Sequence, residues 1–206
     1  MIGQAFIEFS PTTLADVLTH EHVMDFGIHP LWQGMPRIAG PAFPVRCAHG
    51  DNLMVHAAIH RAPAGSILVI QAGDTDFAVA GGNVCRVAQK NGIAGFVIDG
   101  VIRDIAEIRQ HQFPVFARGL SPIPGKKEVL DVLNGTVICG GVEVNSGDII
   151  VADEEGIVVI PSASQDAVFS AAQAKALKDD SETLEAWEAN HRTKIDAILK
   201  AKGLTE

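Results

Sequence analysis

Length, composition and charge restrict the chain to a narrow class of globular proteins. Its 206 residues are 47% hydrophobic and 20% charged, with 16 Lys and Arg against 25 Asp and Glu and a formal net charge of −9. Such a chain can bury one substantial core. Because an acidic surface repels phosphate backbones and anionic headgroups, we expect no nucleic acid partner and no membrane partner.

The patterns of exported and membrane proteins are not found in the sequence. The first residues carry no basic region followed by an apolar run, and no apolar stretch approaches the length that crosses a bilayer. Cys47, Cys85 and Cys139 are odd in number and form no CxxC pair, which is typical of reduced thiols. We therefore expect a cytoplasmic protein.

The N-terminal quarter predicts short elements separated by irregular chain. Ser10 before Pro11 is typical of a helix N-cap. Residues 25–44 are rich in Gly and Pro and predict an irregular stretch. A strand is predicted over Phe43 to Cys47, and a helix that begins at Asp51 is predicted over the string GDNLMVHAAIHRA.

The central part predicts a strand, a loop, a helix and a second strand. The apolar run from Ser66 to Ala72 predicts a strand that is buried on both faces. After the loop GDTDFAVAGG, helical spacing extends from Asn83 to Asn91 and stops at Gly92, a typical C-terminal cap. A second buried strand is predicted from Ile93 to Ile98.

The second half predicts β-rich structure followed by helices. A short helix is predicted over Asp104 to Gln110 and a strand over Pro114 to Ala117, and residues 136–161 predict several strands joined by glycine turns. From Ser162 the helical spacing of apolar residues predicts one or two helices that pack on the body or on a neighbouring subunit. We thus predict an α/β domain over 1–161 and a C-terminal helical extension over 162–206.

Two loops that follow the buried strands carry the candidate chemistry. In the first, Gly81 and Gly82 precede a helix, so the N–H groups around Asn83 and Val84 are predicted to form a cradle for a carboxylate or phosphate. A glycine pair is equally typical of a tight turn or a packing contact. Both interpretations stay open from the glycines alone.

The second loop contains an Arg-Asp pair. Because Arg103 and Asp104 are adjacent, their side chains are expected to diverge, with the guanidinium over a substrate oxygen and the carboxylate towards a metal ion. The alternative is an ordinary surface dipeptide.

Several strings together resemble the RraA-like family. They are GDNL at 50–53, GGN at 81–83, GFVIDGVIRD at 95–104, FPVFARG at 113–119 and GGVEVNSGDIIVADEEGIVVIP at 140–161. The resemblance covers most of the chain. It implies an α/β/β/α swivelling-domain fold that forms a homotrimer or a dimer of trimers. The family includes the regulator of ribonuclease E activity and divalent-metal 4-hydroxy-4-methyl-2-oxoglutarate aldolases that also decarboxylate oxaloacetate.

The resemblance also implies a role for each matching residue. Amides that match Gly81 to Val84 bind the pyruvyl carboxylate, and the arginine that matches Arg103 acts on the 2-oxo group. The aspartate that matches Asp104 holds Mg²⁺ or Mn²⁺. A hard cation with few protein ligands keeps positions open for a chelating 2-oxo acid.

One position departs from the aldolase pattern. That pattern has an acidic residue 21 positions before the arginine, where this chain has Gly82. Asp74 and Asp76, in the same loop, either replace that acid or form turns. The resemblance further implies an acid from the C-terminal segment of a neighbouring subunit near the metal, with Glu182 as the candidate and Asp179 and Asp180 as its rivals.

The remaining histidines and lysines are weaker candidates. His56 and His60 are four residues apart on the predicted helix, where they either share a metal or lie on its surface. His20 and His22 are weaker still. The string from Gly119 to Lys126 resembles a phosphate loop only superficially, because Pro122 and Pro124 interrupt it. Lys126 or Lys127 remains a candidate for a distal substrate carboxylate.

Two further residues have a structural interpretation beside a functional one. Asp99, at the predicted end of a strand, either supports the metal or caps a turn. Cys85, inside the predicted anion-binding helix, is expected to be a buried packing residue rather than a reactive thiol.

The resemblance, together with the residues of the two loops, implies a metal-dependent lyase that cleaves or decarboxylates a small 2-oxo acid through a pyruvate enolate, as class II pyruvate aldolases and oxaloacetate decarboxylases do. The alternative is a non-catalytic regulator that resembles the ribonuclease E inhibitor, which Gly82 favours.

Overall fold

The computed structural model describes residues 2–204, and the part described contains nine strands and seven α-helices. The strands are β1 (His29–Pro30), β2 (Ile38–Arg46), β3 (Ile67–Gln71), β4 (Gly95–Ile102), β5 (Val115–Leu120), β6 (Val137–Cys139), β7 (Val142–Val144), β8 (Ile149–Asp153) and β9 (Gly156–Ile160). The helices are α1 (Ile2–Ala5), α2 (Pro11–Ala15), α3 (Leu53–Ala58), α4 (Gly82–Lys90), α5 (Ile105–Gln110), α6 (Gln165–Ser181) and α7 (Leu184–Ala201).

Seven strands form one sheet in the order β1-β5-β4-β3-β2-β8-β9, and β6 pairs with β7 in a separate hairpin. Strands β2 to β5 are parallel to one another, while β1, β8 and β9 are antiparallel to their neighbours. Because parallel strands end at the same edge, the loops after β3, β4 and β5 come together there. That edge carries the candidate site.

Alternating side chains of β3 enter two different cores, which explains its uninterrupted apolar run. Leu68 and Ile70 pack with α3, α4 and α5, whereas Ile67 and Val69 belong to a second core shared with β6 to β9. The opposite faces of β8 and β9 form a third core with α2 and α6. The layers are therefore helix, strand, strand and helix, and the predicted α/β/β/α arrangement is confirmed.

The predicted helix ends and the order of the central elements are also confirmed. The Ser10 side chain accepts a hydrogen bond from the Thr13 N–H at 3.1 Å, and Pro11 is the first residue of α2. Gly92 follows the end of α4 with a φ of 80°, the left-handed conformation of a C-terminal cap. Strands β3 and β4 flank α4, as predicted from the two buried runs.

The prediction that 25–44 is irregular throughout was wrong at its end, since β2 begins at Ile38. Residues 38–41 pair antiparallel with β8, and residues 42–46 pair parallel with β3. Gly40 is needed within β2 because a Cβ there would lie 2.5 Å from the Gly65 carbonyl oxygen. The glycine and proline content thus permits a change of partner strand rather than a loop.

The predicted end of β4 at Ile98 was wrong as well, because the strand continues to Ile102. The pairing with β5 shifts register between Ile98 and Val101, so Asp99 and Gly100 lie in a bulge and not in a loop after the strand. An Asp-Gly pair is typical of turns, which is why the sequence pattern stops there. The extension carries Arg103 and Asp104 beyond the sheet edge.

The C-terminal segment forms two helices that differ in their packing. Helix α6 buries Val168 and Ala172 in the third core. Helix α7 has no buried residue, and its apolar side chains are partly exposed. These side chains are Leu184, Trp187, Ile195, Ile198 and Leu199. Within residues 2–204, no helix combines the length and apolar character needed to cross a bilayer.

We expect Gly100→Ala to destabilise the bulge that positions the site, because a Cβ on Gly100 would overlap the Ala72 Cβ. Overpacking of this kind costs about 1–3 kcal/mol in the free energy of unfolding, measurable by urea denaturation. Ala72→Gly in the same chain removes the overlap and should restore part of the loss. A Gly100→Ala protein as stable as the wild type would contradict this description of the bulge.

Candidate functional site

The loops at the carboxyl edge of the parallel strands enclose a cleft of about 170 Å³. We call it the Arg103 cleft. Its walls come from α3, the loop after β3, the start of α4, the junction of β4 with α5, and the loop after β5. The lining residues are Asn52, His56, Ala78, Ala80, Gly81, Asn83, Val84, Arg103, Asp104, Pro124 and Lys127.

Backbone hydrogen bonds hold the loop after β3 between its two neighbours. The Arg103 N–H donates to the Ala80 carbonyl at 3.0 Å, and the Val79 N–H donates to the Val101 carbonyl at 3.1 Å. On the other side, the Ala78 N–H donates to the Ile123 carbonyl at 2.7 Å. The residues that precede the double glycine are therefore fixed against both the end of β4 and the loop after β5.

Asp104 has a left-handed backbone, with φ 60° and ψ 36°, at the N-terminus of α5. Aspartate is among the few non-glycine residues that adopt this conformation readily. Its Oδ2 accepts a hydrogen bond from the Gly82 N–H at 3.0 Å and lies 3.6 Å from Arg103 Nε. The expectation that the two side chains diverge was therefore wrong, because the left-handed residue turns both towards the same cleft.

The double-glycine turn packs directly against this pair. A Cβ on Gly81 would lie 2.5 Å from Asp104 Oδ2 and 3.0 Å from Arg103 Cγ. A Cβ on Gly82 would overlap the Glu107 carboxylate. A side chain at either position would therefore have to displace the side chains of Asp104, Arg103 or Glu107.

The first turn of α4 offers two free N–H groups at the cleft. The N–H groups of Asn83 and Val84 have no acceptor among residues 2–204, whereas the Gly82 N–H is taken by Asp104. The unpaired groups lie at the positive end of the helix dipole and can bind an anion. The predicted cradle is thus narrower than Gly81 to Val84.

Three polar residues that line the Arg103 cleft come from parts of the sequence far from the two predicted loops. They are Asn52, His56 and Lys127. Asn52 is 5% exposed, and its Oδ1 has no hydrogen-bond partner among the described residues. Burial lowers the pKa of His56, and the charges of Lys127 and His60 lower it further. His56 is therefore neutral near pH 7 and can accept a proton.

Buried Asp51 brings these residues to the cleft. Its Oδ1 accepts from the Leu53 N–H at 2.8 Å, and its Oδ2 accepts from the Glu128 N–H at 2.6 Å and the Val129 N–H at 3.2 Å. One carboxylate thus joins the start of α3 to the segment next to Lys127. Burial opposes ionisation of Asp51, but the three N–H donors outweigh it and lower its pKa.

The other predicted residues lie elsewhere. Asp74 Oδ2 accepts a hydrogen bond from the Gly50 N–H, and Asp74 Oδ1 accepts from the N–H groups of Asp76 and Phe77. Asp74 therefore forms a turn, which was the second of the two roles expected for it. Neither Asp74 nor Asp76 lines the Arg103 cleft. Asp99 accepts from Arg118 Nε and from the Gly140 N–H, which joins the bulge to the β6–β7 hairpin.

Three further candidates, His60, Cys85 and Glu182, do not line the Arg103 cleft of their own chain. His60 follows the end of α3, which is shorter than predicted, so the expected helical pair with His56 was wrong. Burial raises the pKa of the Cys85 thiol, consistent with a packing role. Glu182 lies between α6 and α7 and accepts from Asn190 Nδ2 at 3.1 Å.

Two places in the structure have donors that suit a hard divalent cation. The Asp104 carboxylate is 40% exposed, keeps Oδ1 unpaired among the described residues, and borders a cleft with room for water and substrate. His49, Asp74 and Asp76 bring ligand atoms within 4.8 Å of one another. Backbone N–H groups hydrogen-bond to both oxygens of Asp74, whereas Oδ1 of Asp104 accepts none from the described residues.

Comparison with known proteins identifies the relationship. A family model described as RraA-like, aldolase/RraA, matches residues 11–159. The chain belongs to the RraA-like family. It is 39% identical over 213 aligned residues to a Halalkalibacterium halodurans protein with the provisional name 4-hydroxy-4-methyl-2-oxoglutarate aldolase, and the alignment covers 100% of this chain and 97% of that relative.

Solved structures confirm the RraA-like fold. An uncharacterized protein from Pseudomonas syringae pv. tomato matches with a TM-score of 0.75 and 28% identity, over 99% of this chain and 90% of that one. The RNA-processing inhibitor RraA from Thermus thermophilis matches with a TM-score of 0.67 and 28% identity, over 74% of this chain and 92% of that one. RraA-like proteins thus include members named as aldolases and members named as inhibitors.

Replacing Lys127 with methionine should raise the pKa of His56, because the variant removes a positive charge that disfavours the imidazolium. The change can be followed by NMR titration of the His56 ring protons. Lys126→Met is the matched control, since Lys126 lies outside the cleft and pairs with Glu128 at 3.8 Å. A His56 pKa that is unchanged in Lys127→Met would show that the two side chains do not share the cleft.

Proposed function

We propose that this RraA-like protein is a divalent-metal-dependent lyase that cleaves or decarboxylates a small 2-oxo acid to release pyruvate. The observation that supports it most is the meeting of Arg103, Asp104 and two unpaired helix N–H groups at one cleft. Its relatives named as 4-hydroxy-4-methyl-2-oxoglutarate aldolases agree with this class of reaction.

Substrate recognition in this proposal uses the positive side of the Arg103 cleft. The 1-carboxylate accepts hydrogen bonds from the N–H groups of Asn83 and Val84, at the positive end of the α4 dipole. Lys127 is available to a second, distal carboxylate. In a chain with a net charge of −9, these local positive groups select a small dianion against the surrounding negative field.

Bond cleavage then depends on stabilising an enolate. Arg103 donates to the 2-oxo oxygen and stabilises the negative charge that collects there as the bond between C3 and C4 breaks. The released fragment is carbon dioxide, or a carbonyl compound whose C4 hydroxyl gives its proton to water or to a basic side chain as the C=O bond forms. The enolate gains a proton at C3 and leaves as pyruvate.

The metal ion in this proposal is Mg²⁺ or Mn²⁺, held by Asp104. When bound, it supplies a Lewis acid that polarises the 2-oxo group. A single carboxylate ligand leaves most of the coordination shell to water and substrate. The Gly82 N–H fixes the orientation of the Asp104 carboxylate and leaves Oδ1 for the ion.

We place the protein in a homotrimer or a dimer of trimers, with Glu182 of a neighbouring subunit near the metal. The partly exposed apolar side chains of α7 support an assembly, because an 18-residue amphipathic helix without buried residues is poorly stabilised alone. Light scattering on the purified protein measures the mass that decides between one chain, three and six.

A non-catalytic regulator is the second candidate. The structural likeness to the RNA-processing inhibitor RraA from Thermus thermophilis favours it, as does the absence of a side chain at Gly82. In that case the acidic surface would bind a basic segment of a partner protein. Turnover of a 2-oxo acid separates the two candidates.

We expect purified protein with Mg²⁺ to release pyruvate from oxaloacetate or 4-hydroxy-4-methyl-2-oxoglutarate, and a chelator to abolish the release. Arg103→Ala should lower kcat/KM by at least about 100-fold, the usual effect of removing a group that stabilises an oxyanion. Asp104→Ala should lower it by at least about as much, because it removes the carboxylate proposed to hold the metal. Pyruvate formation is measured by coupling to lactate dehydrogenase.

Arg109→Ala is the control for these variants, because Arg109 lies on α5 outside the cleft. It should retain the wild-type rate. Equal pyruvate formation by the wild type, Arg103→Ala and Asp104→Ala would reject the roles assigned here.

A further inference from the structure

The start of α3 places a buried amide oxygen in the wall of the Arg103 cleft. Asn52 is 5% exposed, lines the cleft, and has no hydrogen-bond partner for its Oδ1 among the described residues. Its Nδ2 donates to the Ala78 carbonyl at 3.5 Å, which distinguishes the two ends of the amide. Because buried polar groups are nearly always paired in folded proteins, this oxygen calls for a hydrogen-bond donor.

The usual role of asparagine at the start of a helix does not account for this oxygen. Asn52 is the N-cap of α3, where a side-chain oxygen typically accepts from an N–H group of the first turn. The Asn52 side chain makes no such bond, and Asp51 Oδ1 accepts from the Leu53 N–H instead. The Asn52 N–H donates to the Lys126 carbonyl at 2.8 Å. Asn52 is thus held in place while its oxygen remains available to another donor.

His56 is the neighbour of Asn52 on α3. The His56 N–H donates to the Asn52 carbonyl at 3.3 Å, and side chains four residues apart lie on the same face of a helix. Both residues line the Arg103 cleft, and His56 is half-buried. A neutral imidazole has one N–H donor and one nitrogen that accepts. When the N–H group donates to Asn52 Oδ1, the accepting nitrogen is left for a ligand in the cleft.

The charges around His56 favour a neutral ring before the reaction. Burial lowers its pKa, and the positive charges of Lys127 and His60 lower it further, whereas Asp104 is not among the groups that shift it. A protonated His56 would be a third cation in a cleft that already contains Arg103 and Lys127. The ring can therefore take up a proton during turnover and release it afterwards.

We propose that His56 is the base that removes the proton of the C4 hydroxyl in a 4-hydroxy-2-oxo acid, and that Asn52 is the positioning residue that holds its tautomer. This assignment rests on the proposed lyase function. The O–H bond breaks as an N–H bond forms on the imidazole, and the O–H electron pair becomes the second C=O bond of the released fragment. The electron pair of the bond between C3 and C4 passes to the enolate. The imidazolium then gives its proton to water, and the enolate takes one from water at C3, so that protons balance.

The proposal separates the two reactions considered for the cleft. Oxaloacetate has no hydroxyl group at C4 and releases carbon dioxide, so its decarboxylation needs no base at this place. Arg103 and Asp104 serve both reactions, because both pass through the same enolate. The wall formed by Asn52 and His56 thus favours 4-hydroxy-2-oxo acids as the substrate class.

The first test compares two substrates in His56→Gln. With Mg²⁺ and 4-hydroxy-4-methyl-2-oxoglutarate, we expect kcat to fall by about 100-fold, within the usual range for loss of a general base, with little change in KM. Decarboxylation of oxaloacetate should stay close to the wild-type rate. His60→Gln is the matched control, because His60 follows the same helix but is exposed and lies outside the cleft. It should match the wild type with both substrates.

The second test measures the tautomer of His56 by ¹⁵N NMR, without reference to activity. The wild type should show one neutral tautomer, and Asn52→Leu should show a mixture, because the variant removes the acceptor of the imidazole N–H. Asn52→Asp keeps an acceptor oxygen at this position and should keep the single tautomer. It should also raise the pKa of His56, since a neighbouring negative charge favours the imidazolium.

The outcomes separate the two levels of the proposal. A wild-type protein that forms no pyruvate from either substrate would reject the lyase function itself. Activity with oxaloacetate alone would overturn the present inference and leave the lyase function standing, as would a His56→Gln variant that slows both reactions equally or neither. An unchanged tautomer in Asn52→Leu would overturn the role of Asn52. Should that variant not fold, an unchanged His56 pKa in Asn52→Asp would overturn it instead.

Discussion

The hydrogen bond from the Gly82 N–H to Asp104 Oδ2 is the interaction on which the candidate site depends. It joins the start of α4 to the start of α5, two elements that follow adjacent parallel strands. It forms because Asp104 has a left-handed backbone and because Gly81 has no side chain in the path of the carboxylate. The same bond leaves one oxygen of Asp104 and the next two N–H groups of α4 facing the cleft.

This constraint bears on how an acidic protein would present the site for anions that we propose. The groups that would contact a 2-oxo acid are helix N–H groups, Arg103 and Lys127, all at one edge of the parallel strands. The buried carboxylate of Asp51 holds the segment next to Lys127 in place, because it accepts hydrogen bonds from the N–H groups of Glu128 and Val129. The carboxylate of Asp51 is thus used to orient the loops, while the open surface of the cleft carries Arg103, Lys127 and the single carboxylate of Asp104.

The sequence correctly predicted those helices and strands that are determined by residues close together in the chain. The buried run of β3 was evident because both of its faces are covered, and the end of α4 was evident from Gly92. The bulge at Asp99 and Gly100 was not, because it depends on close contact between Gly100 and Ala72, which lies on a different part of the chain. The partner change within β2 was missed for the same kind of reason.

The site was predictable to a similar degree. Arg103, Asp104 and the double glycine were found because each follows a buried strand, the usual position of binding residues in α/β folds. Asn52 and His56 are held at the cleft by long-range hydrogen bonds, among them those of Asp51 and the bond from the Asn52 N–H to the Lys126 carbonyl, and no local pattern records such links. The packing of Glu107 on Gly82 likewise became evident only from the contact between α4 and α5.

A crystal structure with Mn²⁺ and oxalate, a planar mimic of the pyruvate enolate, would show where the metal and the anion bind. We expect an anomalous peak for the metal beside Asp104, with a carboxylate of oxalate bound to the N–H groups of Asn83 and Val84. A peak at His49, Asp74 and Asp76, with no ligand at Asp104, would contradict this expectation.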